Sequence, residues 1–444
     1  MAPLPWRFRA IGEGQPKSRW LPSYGNGFVV VSLLENFILE WLRMIKEVRE
    51  FMPKQYSFIS PIEIHFGEKS VQKLERIFRE LKSKSVFLIC DPVVLKLGLV
   101  KSVIDIVMRN NIAVKVCDQV EPEPSITLAQ QFLDEIHQDR YDLVIGIGGG
   151  SALDLAKSVA VLAAHEGRAE EYLNLTQQRK ISKKGIKKVL IPTTAGTGAE
   201  VTDIAVFSVN ETKDVITHKY LLADYVIVDP ELTYSLPQQA TAASAVDAFT
   251  HAIESITSRF SNPLSNAFAK NALERIYQWI RVAVWNGDDR LARQQLSLGS
   301  LEAGLSFYNA GVAGVHALAY PLGGQFKVAH GEANAGLLPY VYANIWPSCV
   351  RQLAEVGQII GSYSTGKSER ENAKKVVQSL YDLVKDSGLP LSLSAYEVRE
   401  KDLKNLTRHA LLQERLLERS PKKLTEKDIY EIYTNAYTGR LILE

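Results

Sequence analysis

The sequence predicts an α/β half built on a largely parallel sheet, followed by an all-helical half. Two observations carry that expectation. From about residue 57, short β-rich apolar runs alternate with helix-period segments, the pattern of βαβ units. After Pro237 the β-rich runs stop and only helix-period segments follow.

The strands are short apolar runs bounded by polar residues or glycine. They are SVFLICD (Ser85 to Asp91), IAVKVCD (Ile112 to Asp118), YDLVIGIG (Tyr141 to Gly148) and KKVLIPT (Lys187 to Thr193). Between them, Glu68 to Leu81 and Ile126 to Asp139 repeat apolar residues at helical spacing. YVIVDPELTYSLP (Tyr225 to Pro237) supplies a last strand and a proline-bounded exit. Helices are expected over Gln238 to Ser258, Pro263 to Asn286, Arg290 to Phe307 and Ser368 to Ser387, with a short one after Leu424. The composition shift places an α/β domain over 53–235 and a helical domain over 236–444. No internal repeat is visible.

At 444 residues the chain is too long for one ordinary core. Its 46% hydrophobic and 23% charged content is that of a globular protein. A net charge of +2, from 52 basic and 50 acidic residues, argues against a nucleic-acid partner. The run RKISKKGIKK (Arg179 to Lys188) lacks interleaved aromatics and reads as a solvated loop before a strand. The three cysteines, Cys90, Cys117 and Cys349, form no C-x-x-C pair, so reduced cytoplasmic thiols are expected.

No apolar run is long enough to span a membrane; Gly27 to Ile45 is broken by Glu35, Asn36, Glu40 and Arg43. Residues 1–52 are atypical and lack a secretory cleavage pattern. An over-long translated start, with Met44 or Met52 as the beginning, is the expectation for them.

VIGIGGGSALDLAK (Val144 to Lys157) is a buried strand running through glycines into a helix. Gly148, Gly149 and Gly150 let backbone N–H groups approach a phosphate, the helix N-terminus adds positive potential, and Ser151 offers a hydroxyl. Asp154 and Lys157 follow on the first turns. This is not the ordinary dinucleotide fingerprint, because the turn follows the third strand and no acid lies about twenty residues downstream. Asp91, closing the first strand, is the candidate acid instead, either on an adenosine ribose or as a plain helix cap. In IPTTAGTGAEVTD (Ile191 to Asp203), Thr193, Thr194, Thr197 and Thr202 surround two glycines and suit phosphate or ribose contacts.

In SAVDAFTHAIES (Ser244 to Ser255), Asp247 and His251 stand at i and i+4 on a helix, on one apolar face. Buried Asp and His need partners. His316 and His330, in HALAYPLGGQFKVAHG, also sit among apolar residues, with Tyr320 one helical turn after the first and a Gly-Gly turn between. A one-carboxylate, three-imidazole metal site and a set of unrelated core histidines both fit the spacing. Such a site would leave a divalent ion net positive and able to bind an alcohol oxygen. The other five histidines show no such context.

Taken together, Phe66-Gly67, GGGSALDLAK, PTTAGTGAEVT, VDAFTHAIES and HALAYPLGGQFKVAHGEANAGLLP, in this order, resemble the iron-containing (group III) alcohol dehydrogenases over nearly everything after residue 57. The resemblance implies a Rossmann-like first domain and an all-α second one, the architecture shared with dehydroquinate synthase. It implies metal ligands Asp247, His251, His316 and His330, holding Fe2+ or, alternatively, Zn2+. It implies NAD held by Gly148, Gly149, Gly150, Ser151, Asp154, Thr193, Thr194, Thr197, Thr202 and Lys213, with Asp91 the acid linked to NAD preference. One departure stands out: many members carry a proton-relaying histidine where this chain has Tyr320, which becomes either a relay or a pocket wall.

The implied reaction is reversible NAD-dependent oxidation of a small alcohol to an aldehyde or ketone, in a cytoplasmic homo-oligomer with no membrane partner. The rivals on this scaffold are hydroxyacid–oxoacid transhydrogenase, glycerol or maleylacetate-type reductases and, more remotely, a dehydroquinate synthase-like lyase. No arginine is evident in the pocket motifs, so a neutral alcohol is preferred to a hydroxyacid.

Overall fold

Six strands form one all-parallel sheet in a computed structural model that describes residues 55–209 and 212–443. The reading of residues 1–52 lies outside the described residues. The strands are β1 (Glu63–Phe66), β2 (Ser85–Cys90), β3 (Ala113–Cys117), β4 (Leu143–Gly148), β5 (Lys187–Pro192) and, after a hairpin, β8 (Tyr225–Val228), in the order β1-β8-β5-β4-β2-β3. β4 is buried along its whole length, as a strand covered by helices on both faces must be. The helices of this half are α1 (Leu74–Leu81), α2 (Pro92–Lys96), α3 (Lys101–Arg109), α4 (Ile126–Ile136) and α5 (Gly150–Leu162).

The connection leaving β2 runs to β3 on one side, and the one leaving β4 runs to β5 on the other. The chain therefore reverses direction between β2 and β4, and ligands of open α/β sheets bind at such a point, beyond the carboxyl ends of the strands. Asp91 follows β2 there and Gly149 follows β4. β4 and β5 end in register at Gly148 and Pro192, and Thr193 N–H donates to the Gly148 carbonyl at 3.0 Å. The glycine-rich and threonine-rich loops thus start side by side.

Two features differ from the sequence reading. EIHF forms β1 although it is no apolar run; all four residues are half-buried at the sheet edge beside β8. β6 (Ile204–Val209) and β7 (Thr212–Thr217) form a separate antiparallel hairpin, tied to α5 where Val206 N–H donates to Asp154 at 2.9 Å.

After Pro237 the described residues form helices and no strand: α6 (Gln238–Thr257), α7 (Pro263–Trp285), α8 (Arg290–Ala310), α9 (Gly314–Phe326), α10 (His330–Ile345), α11 (Val350–Ile359), α12 (Glu369–Asp386), α13 (Leu403–Leu411), α14 (Glu414–Leu417) and α15 (Glu426–Thr438), joined by loops and short 3-10 turns. The expected Gly-Gly turn is not where the chain reverses. Gly323 and Gly324 lie inside α9, and the turn comes at Lys327, in the left-handed conformation. No described helix is long and apolar enough to cross a membrane.

Candidate active site

Asp247, His251 and Glu254 project from one face of α6, because steps of four and seven residues return to nearly the same angle on a helix. Glu254 is not among the residues singled out from the sequence, although this spacing makes it readable. Its carboxylate accepts the backbone N–H groups of Ala313 (3.0 Å) and Val315 (2.6 Å), which have no partner of their own at the start of α9. It also accepts from Nδ1 of His316 at 2.6 Å, which leaves His316 Nε2 free to face Asp247. His330 opens α10, brought against α6 by Gly331; a Cβ there would collide with the Ala243 carbonyl.

The four side chains converge. One ligand atom from each of Asp247, His251, His316 and His330 lies within 4.8 Å of all the others. The three imidazole Nε2 atoms stand 3.9, 3.7 and 3.7 Å from Asp247 Oδ1. Ligands about 2.1 Å from a tetrahedral ion stand about 3.4 Å apart, so the quartet is slightly open but of the right size. Burial opposes a charge on Asp247, but the surrounding imidazoles override it and hold the carboxyl well below its usual range. Burial lowers His251 to about 4 and His330 to about 3, so both imidazoles are neutral and able to ligate. Burial acts the same way on His316, but hydrogen bonds with Asp247 and Glu254 outweigh it and raise that group to about 9. Asn334, wholly buried and four residues after His330, donates to Asp247 Oδ1 at 2.7 Å and lies 3.2 Å from the Nε2 atoms of His316 and His330. A buried anionic oxygen ringed by three imidazole nitrogens, with one imidazole anchored from behind, fits a divalent cation.

The quartet lines a cavity of about 380 Å³. Gly150, Ser151, Asp154, Thr197, Thr202, Lys213 and Tyr320 line it too. A second cavity, of about 300 Å³, shares Ser151 with the first and carries Asp91, Gly149, Thr193 and Thr194. Gly148 lines neither. It ends β4 with φ of 151°, and a Cβ on it would sit 3.0 Å from Asp91 Oδ2, so glycine keeps the acid beside the loop. Asp91 Oδ1 caps α2 by accepting Val94 N–H at 2.8 Å.

Several candidates are already engaged. Asp154 pairs with the fully buried Lys157 at 2.8 Å, and Lys157 also donates to Thr202 Oγ1 (3.2 Å) and the Ala199 carbonyl (2.9 Å). Burial raises Asp154 despite that lysine. Lys213 donates to Glu123 at 2.6 Å, and its ammonium stands 5.6 Å from the Tyr320 ring centre. The Tyr320 ring lies 6.0 Å from that of His330, and burial pushes its phenol up against the opposing pull of Arg415 and Arg419.

Arg415 and Arg419 add to the residues expected from the motifs. Both line the metal-side cavity, delivered by α14 and the turn after it. Neither belongs to a recognisable motif, so nothing in the sequence signalled them.

The family profile described as iron-containing alcohol dehydrogenase matches residues 61–230, and that of the Fe-containing alcohol dehydrogenase family, C-terminal, matches residues 241–437. The chain is similar to long-chain-alcohol dehydrogenase 1 of Geobacillus thermodenitrificans (strain NG80-2), with 47% identity over 378 residues, 85% of this chain and 96% of the relative. It is 31% identical to 1,3-propanediol dehydrogenase of Klebsiella pneumoniae over 86% of this chain and 99% of that one. Among solved structures, a 1,3-propanediol oxidoreductase superposes with a TM-score of 0.83 at 31% identity, over 86% of this chain and 100% of the other. The chain belongs to the iron-containing alcohol dehydrogenase family, and it is an oxidoreductase, an alcohol dehydrogenase.

Proposed function

We propose that the protein interconverts an alcohol and its carbonyl compound, with NAD as the hydride carrier and Fe2+ held by Asp247, His251, His316 and His330. The observation that carries this reading is that the ligand quartet and the glycine-rich turn open into one cavity. A divalent ion in the quartet would supply Lewis-acid polarisation of the alcohol oxygen.

The chain's own residues do the positioning. Glu254 fixes the tautomer and direction of His316, and Asn334 fixes the Asp247 carboxylate. The N–H groups at Gly149 and Gly150 and the start of α5 suit a pyrophosphate. Asp91 suits a ribose hydroxyl and disfavours a 2′-phosphate, supporting NAD over NADP. Phe207, Phe307, Val312 and Tyr320 give the cavity apolar wall, which excludes water and suits an alkyl chain. Tyr320 belongs to this wall, since burial keeps its proton in place. We place the protein in the cytoplasm on its three buried, unpaired thiols.

The Geobacillus relative, named for long-chain alcohols, makes a chain-length series of primary alcohols the first substrates to try. NADH formation on Fe2+-loaded protein tests the reading. Turnover that survives complete chelation, or that requires NADP, would remove it.

A further inference from the structure

The basic run before β5 is the exposed loop its composition suggests, except at its end, where Lys188 enters the strand and is buried. Lys188 is 3% exposed, and with Lys184, Lys187 and Lys219 it lines a pocket of about 130 Å³. Among the described residues, Asp224 is the only acid in that lining, so four lysines face one carboxylate. The pocket lies where β1, β8 and β5 begin, whereas the reaction cavity lies beyond the carboxyl ends of the strands. At about 3.3 Å per residue, the length of β5 separates the two by roughly 17–20 Å.

Asp224 does not satisfy these lysines. Its Oδ1 accepts Lys187 Nζ at 2.7 Å, and its Oδ2 accepts the backbone N–H of Lys188 at 3.0 Å. Lys188 Nζ is left 3.7 Å from Oδ2, too far for a hydrogen bond, and makes none among the described residues. The Lys188 ammonium therefore opens into the pocket with room for acceptors that Asp224 does not supply. Lys184 and Lys219 are exposed and free to close on whatever does, and Lys219 already lies over the Tyr220 ring, 5.6 Å from its centre. At about 30 Å³ per water, the pocket has room for a tetrahedral oxyanion and a little solvent.

We propose that this pocket binds a multivalent oxyanion, phosphate or the phosphoryl end of a larger molecule, at a site separate from the catalytic one. Such a ligand brings several charged acceptors to ammonium groups that lack them, the arrangement in which hydrogen bonds are strongest.

Calorimetric titration of the full chain with inorganic phosphate, and separately with pyrophosphate, tests this at constant ionic strength. Saturating NAD is present to fill the cofactor groove. Phosphate should bind with a Kd of about 1 mM or tighter. The double variant Lys184→Ala/Lys219→Ala, altered only at exposed positions, should weaken it about tenfold or more, and Lys188→Met should abolish it. Pyrophosphate binding about tenfold tighter than phosphate identifies a phosphorylated molecule as the ligand; equal affinities identify the free ion. No heat with either anion, or affinity unchanged in the double variant, would overturn the proposal. The double variant decides the matter even if Lys188→Met fails to fold.

Discussion

His316 is held from behind by Glu254: Nδ1 donates to the carboxylate at 2.6 Å, and the same carboxylate anchors the first N–H groups of α9. One acidic side chain on α6 thus fixes both the ring that faces Asp247 and the helix that carries it. Glu254→Gln keeps the shape and removes the charge, so the protein should fold while its metal affinity falls about 10–100-fold. Competition with a chelator of known affinity measures this. Unchanged affinity would reduce Glu254 to a helix anchor.

Asp91 does two things at once, capping α2 through Oδ1 and presenting Oδ2 beside Gly148 in the second cavity. Asp91→Asn retains a capping oxygen and loses the charge, whereas Asp91→Gly loses the side chain and, as a cap, costs only a few tenths of a kcal/mol. Both should relax discrimination against NADP with little loss of stability. Steady-state kinetics with the two cofactors check it, and an unchanged preference removes the role given to Asp91.

Burial raises the phenol of Tyr320 and its ring walls the cavity. Tyr320→Phe should therefore leave the pH–rate profile in place and move KM more than kcat. Loss of a proton relay would instead cost about 100-fold or more in turnover and remove a limb of the profile.

The fold class and the convergence of Asp247, His251, His316 and His330 were legible in the sequence, whereas some single elements were not. Gly148 to Ser151, Asp247, His251, His316 and His330 stand out because glycine runs and buried histidines are costly without a reason. β1 was hidden because an edge strand of four half-buried residues has no apolar signature. α9 was hidden because Pro321, Gly323 and Gly324 are residues that ordinarily end helices. Arg415 and Arg419 were unreadable for another reason: only tertiary folding brings α14 and the residues after it to the cavity.

Lys188 gives a stability prediction. Burial lowers its ammonium from 10.5 to about 8. Between those pH values the unfolded chain holds a proton that the folded chain has released, so raising the pH stabilises the fold there. Below about pH 8 the folded protein carries the full penalty, on the order of 3 kcal/mol. Lys188→Met lacks it. In phosphate-free buffer, the variant's advantage in Tm over the wild type should be largest below pH 8 and shrink towards pH 10.5. Parallel Tm curves would show that Lys188 is not titrating in the fold.

The central claim is that Asp247, His251, His316 and His330 form one metal site on which the oxidation of alcohol depends. Elemental analysis of the purified chain, run beside NADH formation from a primary alcohol, tests it most directly. The wild type should carry about one divalent ion per chain, and His316→Ala should lose the ion and the activity together while its circular dichroism stays native. A wild-type chain that oxidises alcohol at full rate after every metal has been removed would contradict it.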